Sequence, residues 1–223
     1  MHNKILNITN SEYFNKAFIA EYGGTAVPFC EAMMDGDVTA DIYSQQFIVL
    51  RAKSLNVTEN EYRAKMYVYD ALKNDNYKTI HLWFGKDTFC QMNLLTLLAY
   101  LEQIEYQGEL KLNYIDDETF DVLDTDIDIK LGIYNKIYED IFISEIVPDD
   151  AGVLCSKAID LYFDYHSKCG ELAKLVRDNI HKEKTELVCL LLCQSKDYGL
   201  SDLQAERLIN ANLSEQIFKK NGE

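Results

Sequence analysis

The chain carries only two prolines and one tryptophan in 223 residues, and it has no basic run longer than two residues. It also lacks any apolar stretch near the roughly 20 residues that a membrane-spanning helix requires. The longest, Leu187–Cys193, is far shorter, and mean hydropathy is −0.22. The opening segment MHNKILNITN contains neither an apolar h-region nor a cleavage site. A soluble, cytoplasmic protein without a membrane partner is expected.

Positive charge is in short supply. Against 22 Lys and Arg stand 37 Asp and Glu, a net charge of −15. Such a field repels nucleic-acid phosphates and anionic lipid surfaces, so nucleic acid is not an expected partner. Cysteine motifs are missing too. Cys30, Cys90, Cys155, Cys169, Cys189 and Cys193 include no CxxC pair, and reduced, buried thiols are expected. Cys189 and Cys193, four residues apart inside LVCLLLC, read as buried core, because zinc would need more ligands nearby.

Catalytic signatures are equally sparse. No GxGxxG follows the first strand, and GxxxxGK[ST] and GxSxG do not occur, which removes the common dinucleotide, P-loop and hydrolase readings. His2, His81, His166 and His181 show no ligand spacing, and His81, inside a strand pattern, reads as a hydrogen-bonded core imidazole. No cofactor is named by any motif, and catalysis is left open. Asp124, Asp126 and Asp128 fall on the first three ligand positions of an EF-hand loop. However, Ile129 replaces its glycine and Asn135 its closing glutamate, so calcium is rejected and the run reads as a solvated acidic linker.

What is present is a hydrophobic content of 48%, ordinary for a folded globular protein. Lys4–Thr9 reads as a strand and Glu12–Tyr22 as a helix, with Asn10 or Ser11 as its N-cap and Gly23-Gly24 as its stop. Thr25–Phe29 is a second strand. Asp41–Leu55 and a segment opened by the capping box Thr58-x-x-Glu61 are helical, ending at Asn74–Asn76. Strand Thr79–Phe84, turn Gly85-Lys86 and a strongly apolar helix after Asp87 form the centre of the chain, and Glu109–Ile115 alternates like a strand. Beyond it only helical signals follow. The expected fold is therefore α/β, a mainly parallel sheet flanked by helices over residues 1–128, followed by an all-α region over residues 129–223.

In such sheets ligands sit at the carboxyl ends of strands beside helix N-termini. That rule gathers Asn10, Ser11, Glu31, Phe84–Asp87 with Gln91, and Asp116-Asp117. Projected at about 100° per residue, Gln91 falls inside the apolar arc of the central helix and Asp87 lies one turn earlier on the same side. Asp87 reads as a base, a metal ligand or a hydroxyl-binding carboxylate, or as a plain helix cap. Gln91 reads as a ligand-orienting group or as a partner of loop backbone. Trp83 reads as core or as a stacking surface.

The stretches ITNSEYFNKAF, LWFGKDTFCQMNLLTLL and YGLSDLQAERLI together resemble the bacterial domain of unknown function 1835 family, over most of the chain. The LWFxxDxxxQxxLLxLL part, through Leu82, Trp83, Phe84, Asp87 and Gln91, is the most specific. The resemblance implies an N-terminal α/β region joined to a helical C-terminal region, and it points to the Asp87/Gln91 location. It implies no activity. Two functions follow as expectations. One is a small-ligand site on Asp87 and Gln91 supported by Asn10, Ser11, Glu31 and Trp83. The other is an interaction module, docking a protein partner or a second copy through Tyr134, Tyr138, Tyr162, Phe163 and Tyr165.

Overall fold

The computed structural model describes residues 4–74 and 77–221; His2 and the Asp75-Asn76 part of the expected helix stop lie outside them. Two compact units divide the chain: Met1–Lys86 with Cys90–Cys155, and Asp87–Phe89 with Ser156–Glu223.

The first unit is built on a five-stranded sheet, β1 (Ile5–Thr9), β2 (Ala26–Pro28), β3 (Thr79–Phe84), β4 (Glu109–Ile115) and β5 (Val122–Ile129), in the order β2-β1-β3-β4-β5. The first four run parallel, with Thr9 opposite Trp83 and Phe84 opposite Tyr114. β5 is antiparallel to β4. The helices are α1 (Glu12–Tyr22), α2 (Gln45–Leu55), α3 (Glu59–Lys65), α4 (Tyr67–Asn74), α5 (Thr88–Gln103) and α6 (Tyr134–Phe142). The α/β reading is thus what the chain adopts. The change of pattern expected near Asp128–Leu131 is not where the units divide, since α6 groups with the sheet.

Local chemistry explains the element ends. Ser11 accepts the Phe14 N–H at the start of α1, and Gly23 ends it at φ 68° while donating to the Ile19 carbonyl. Thr58 and Glu61 form both bonds of the capping box, an arrangement that satisfies two otherwise orphaned amides. Strand side chains alternate between faces, and one face is apolar: Leu6, Ile8, Ile80, Leu82, Phe84, Leu110 and Leu112 are all buried. Each such side chain contributes about 1.5–3 kcal/mol. On the other face α1 sets Phe14 and Phe18 against Ile115, Trp83 and Phe120.

α5 is buried around its whole circumference from Met92 to Leu101, including Asn93, Thr96 and Tyr100. Buried polar groups need partners, and here each has one. Asn93 accepts the Met33 N–H and donates to the Glu31 carbonyl, Thr96 donates to the Met92 carbonyl, and Tyr100 to the Tyr69 carbonyl. The polar stripe of this helix therefore stitches it to the 31–33 loop and to α4.

Four expectations are corrected. The acidic run is a strand: Lys111 pairs with Asp128 across β4 and β5, and His81 lies 3.8 Å from Asp126. His81 consequently sits on a half-open sheet face rather than in the core. Its neighbours along β5 are nearly all exposed, and aspartates on an edge strand discourage pairing with another chain. Cys169, Cys189 and Cys193 are exposed, and only Cys90 is fully buried. Of the aromatics put forward for a partner surface, Tyr134, Tyr138 and Tyr165 are core residues.

The second unit contains α7 (Ser156–His166), α8 (Glu171–Asp178), α9 (Lys184–Gln194), a single 3-10 turn (Lys196–Tyr198) and α10 (Asp202–Asn221). Asp164 holds the start of α8 by accepting the Glu171 N–H, and it also takes the Tyr198 hydroxyl at 2.7 Å. Gly170 is required there, because a Cβ would fall 2.1 Å from the Asp164 carbonyl oxygen. In α9, Leu187 and Leu191 are buried and Cys189 and Cys193 lie off that stripe. Among the described residues no helix is long and apolar enough to cross a membrane.

Candidate functional site

β1 is the strand from which the connections diverge, to β2 on one side and to β3 on the other. Ligands in open α/β sheets bind at such a reversal, outside the carboxyl ends of the strands. Here that crevice lies between the residues after β1 and those after β3. The backbone closes its floor, with the Asn10 N–H donating to the Trp83 carbonyl at 3.0 Å.

Three side chains of the first unit meet there. Asn10 Nδ2 donates to Asp117 Oδ1 at 2.5 Å and to Cys90 Sγ at 3.3 Å. The Cys90 thiol lies 3.6 Å from the same carboxylate oxygen. Asp117 approaches because position 85 is glycine: a Cβ on Gly85 would fall 1.7 Å from Asp117 Oδ2. The neighbouring Asp116 is spent on its own turn, accepting the Glu118 and Thr119 N–H groups. Lys86 sits 4.7 Å from the centre of the Tyr114 ring.

One atom is left over. Asn10 Oδ1 is buried and accepts no hydrogen bond from any described residue. The amide orientation follows from the chemistry, since a carboxylate must face the NH₂ end and not the carbonyl end. A buried acceptor without a donor loses about 1–3 kcal/mol of solvation, so the group calls for a donor from outside the chain. The Cys90–Asp117 separation also suits a cation. A sulfur about 2.3 Å and an oxygen about 2.1 Å from one tetrahedral ion stand about 3.6 Å apart.

The residues singled out in the sequence take different places. Asn10 is in the crevice. Ser11 is the cap of α1. Trp83 donates through Nε1 to Asn7 and packs on Phe18 at 5.0 Å. Gln91 is fully buried and satisfied at both ends, donating to the Gly85 carbonyl at 2.7 Å and accepting the Cys155 N–H at 2.9 Å. It fixes the turn after β3 and offers a ligand nothing. Burial pushes the Tyr114 hydroxyl nearby up to about 12, reinforced by Cys155. Asp87 occupies the position before α5 and belongs with the second unit, where a Cβ on Gly199 would fall 2.0 Å from its Oδ1.

Glu31 lies in the core. Its Oε1 accepts from Arg51 Nε at 3.1 Å and Nη2 at 2.8 Å, and its Oε2 accepts the Tyr62 hydroxyl. Arg51 further donates to the Ala32 and Asp35 carbonyls. Burial and the charge of Glu31 drive the Tyr62 pKa far above its ordinary value. This network ties the 31–35 loop to α2 and α3. Cys90 is the site residue that sequence reasoning missed, although its place one turn after Asp87 on the central helix was a usable signal. Comparison of the chain with protein-family models, with curated proteins and with solved structures finds no match.

Proposed function

We propose that the protein binds a small ligand carrying positive charge or N–H donors in the crevice between β1 and β3, on Asn10, Cys90 and Asp117. The unpartnered Asn10 Oδ1 is the observation that carries this reading. Thiol sulfur, carboxylate and amide carbonyl are all electron-pair donors, so the complementary ligand is an amine, a guanidinium group or a divalent cation. The net charge of −15 steers such ligands toward the protein. Membership of the domain of unknown function 1835 family, on the stretches quoted above, belongs to the same proposal and adds a location without a reaction.

The test is a thermal-shift screen of the wild type and Asp117→Asn against amino acids, diamines, guanidine compounds and divalent metal ions. A ligand at 100 times its Kd adds about 2.7 kcal/mol of stability. A shift present in the wild type and lost in Asp117→Asn supports the reading, and its sensitivity to a chelator separates metal from amine. A flat screen, or a shift that survives Asp117→Asn, overturns it. In that case Asn10 Oδ1 is served by trapped water alone.

A further inference from the structure

One helix of the second unit turns two thiols outward. Cysteine is among the residues most often buried, yet Cys189 and Cys193 of α9 are both exposed. The cause is the apolar stripe, since Leu187 and Leu191 take the buried side of the helix. Positions four apart share a helical face, so the two thiols stand one turn apart on the same side. Both line a groove of about 540 Å³, whose walls also include Lys182, Thr185, Glu186 and Leu190. That volume falls in the range of small-ligand sites, about 300–1,000 Å³.

Geometry decides what such a pair can do. Cβ atoms four positions apart on a helix are about 5–6 Å from each other, whereas a disulfide needs about 3.5–4.5 Å. The pair therefore cannot close on itself while α9 stays helical. A metal ion spans more. With bonds near the roughly 2.3 Å of zinc to sulfur, it holds two sulfurs up to about 4.6 Å apart. Staggered thiol rotamers on an intact helix reach that separation.

The number and type of ligands decide which ion. The described walls of the groove carry no histidine and no third cysteine. A closed zinc site takes four protein ligands, and calcium and magnesium take oxygen. Monovalent copper is soft and selects thiolate, and two sulfurs in line complete its coordination.

We infer that Cys189 and Cys193 form a chelating site for monovalent copper on the open face of α9. Binding exchanges two thiol protons for one cuprous ion, with no change of oxidation state, and leaves a bis-thiolate complex. The net charge of −15 draws the cation toward the chain. The site shares no residue with the crevice at Asn10, where Cys90 lies.

The full chain, titrated without oxygen against cuprous bicinchoninate, provides the test, because the dye loses its colour as copper leaves it. One equivalent of copper should transfer, with two sulfur neighbours in its X-ray absorption spectrum. Cys189→Ser and Cys193→Ser should each weaken uptake at least about a hundredfold, since chelation is lost. Cys193→Ser combined with Gln194→Cys keeps the number of thiols but turns one by about 100° around the helix. It should bind no better than Cys193→Ser alone. Cys169→Ser, which removes another exposed thiol, should change nothing. Positions 189, 193 and 194 are all exposed, so these variants keep the fold, which circular dichroism checks. Absent transfer, transfer that survives either serine on α9, or transfer restored by Gln194→Cys overturns the inference. Loss of transfer in a folded Cys90→Ser variant overturns it by placing the copper in the other site. Half an equivalent with dimers in sedimentation also overturns it, because the ion would then join two chains.

Discussion

Two polar clusters in the first unit have similar ingredients and opposite conditions. Glu31, Arg51 and Tyr62 are at most 2% exposed, and Glu31 Oε1 alone accepts two guanidinium N–H groups and the Ala32 N–H. Asn10, Cys90 and Asp117 meet at a strand mouth and leave one buried acceptor unmatched. A saturated buried network holds loops in place, since its members have nothing left to offer a ligand. The other cluster lies at a topological switch point, and under the proposal above its unmatched acceptor faces a ligand. Saturation, more than residue type, separates Glu31 from Asp117 in the proposed reading.

The largest way to test this contrast is to break the closed cluster. Arg51→Ala leaves Glu31 as an uncompensated buried charge and frees two loop carbonyls, so stability should fall by about 3–5 kcal/mol. Urea denaturation measures it. A loss below about 1 kcal/mol would mean that the network does not hold the loop.

High pH should separate the clusters next. The folded-state pKa of Tyr62 is raised, by burial first and then by Glu31, so its contribution is complete below the unfolded value of about 10. It is lost as pH rises beyond that, at about 1.4 kcal/mol per pH unit. Tyr114, pushed up to about 12, adds to the loss between pH 10 and 12. Tyr62→Phe should flatten the alkaline fall in a pH series of denaturation curves. Asp117→Asn should leave the fall as it is.

A smaller effect is expected from Gly85→Ala. The atom it would strike is the end of an exposed, movable side chain, Asp117 Oδ2, so the fold should tolerate it within about 1 kcal/mol. Displacing that carboxylate should nevertheless abolish the ligand shift. Retained binding in a folded Gly85→Ala variant would show that Asp117 is not a contact.

Much of this was legible beforehand, and the limits have physical causes. The strand segments, the Ser11 cap and the Thr58/Glu61 box are set by near neighbours in sequence, so pattern reading finds them. β5 was hidden because aspartates dominate it, although Asp124, Asp126 and Asp128 alternate as a strand requires. Cys189 and Cys193 looked buried because they are surrounded by leucines, yet Leu187 and Leu191 take the buried stripe of α9. The crevice itself brings together residues 80 and 27 positions apart. No local pattern reports such a meeting, and the strand-end rule gathered Asn10 and Asp117 without Cys90.

The most direct single measurement compares stability and ligand response in Asn10→Leu. This variant removes the unmatched carbonyl and leaves Asp117 exposed to water, so its stability should match or slightly exceed the wild type. The thermal shift from an amine or divalent-ion ligand should vanish. A variant that unfolds would make Asn10 a structural residue like Arg51, and one that keeps the full shift would place the ligand elsewhere.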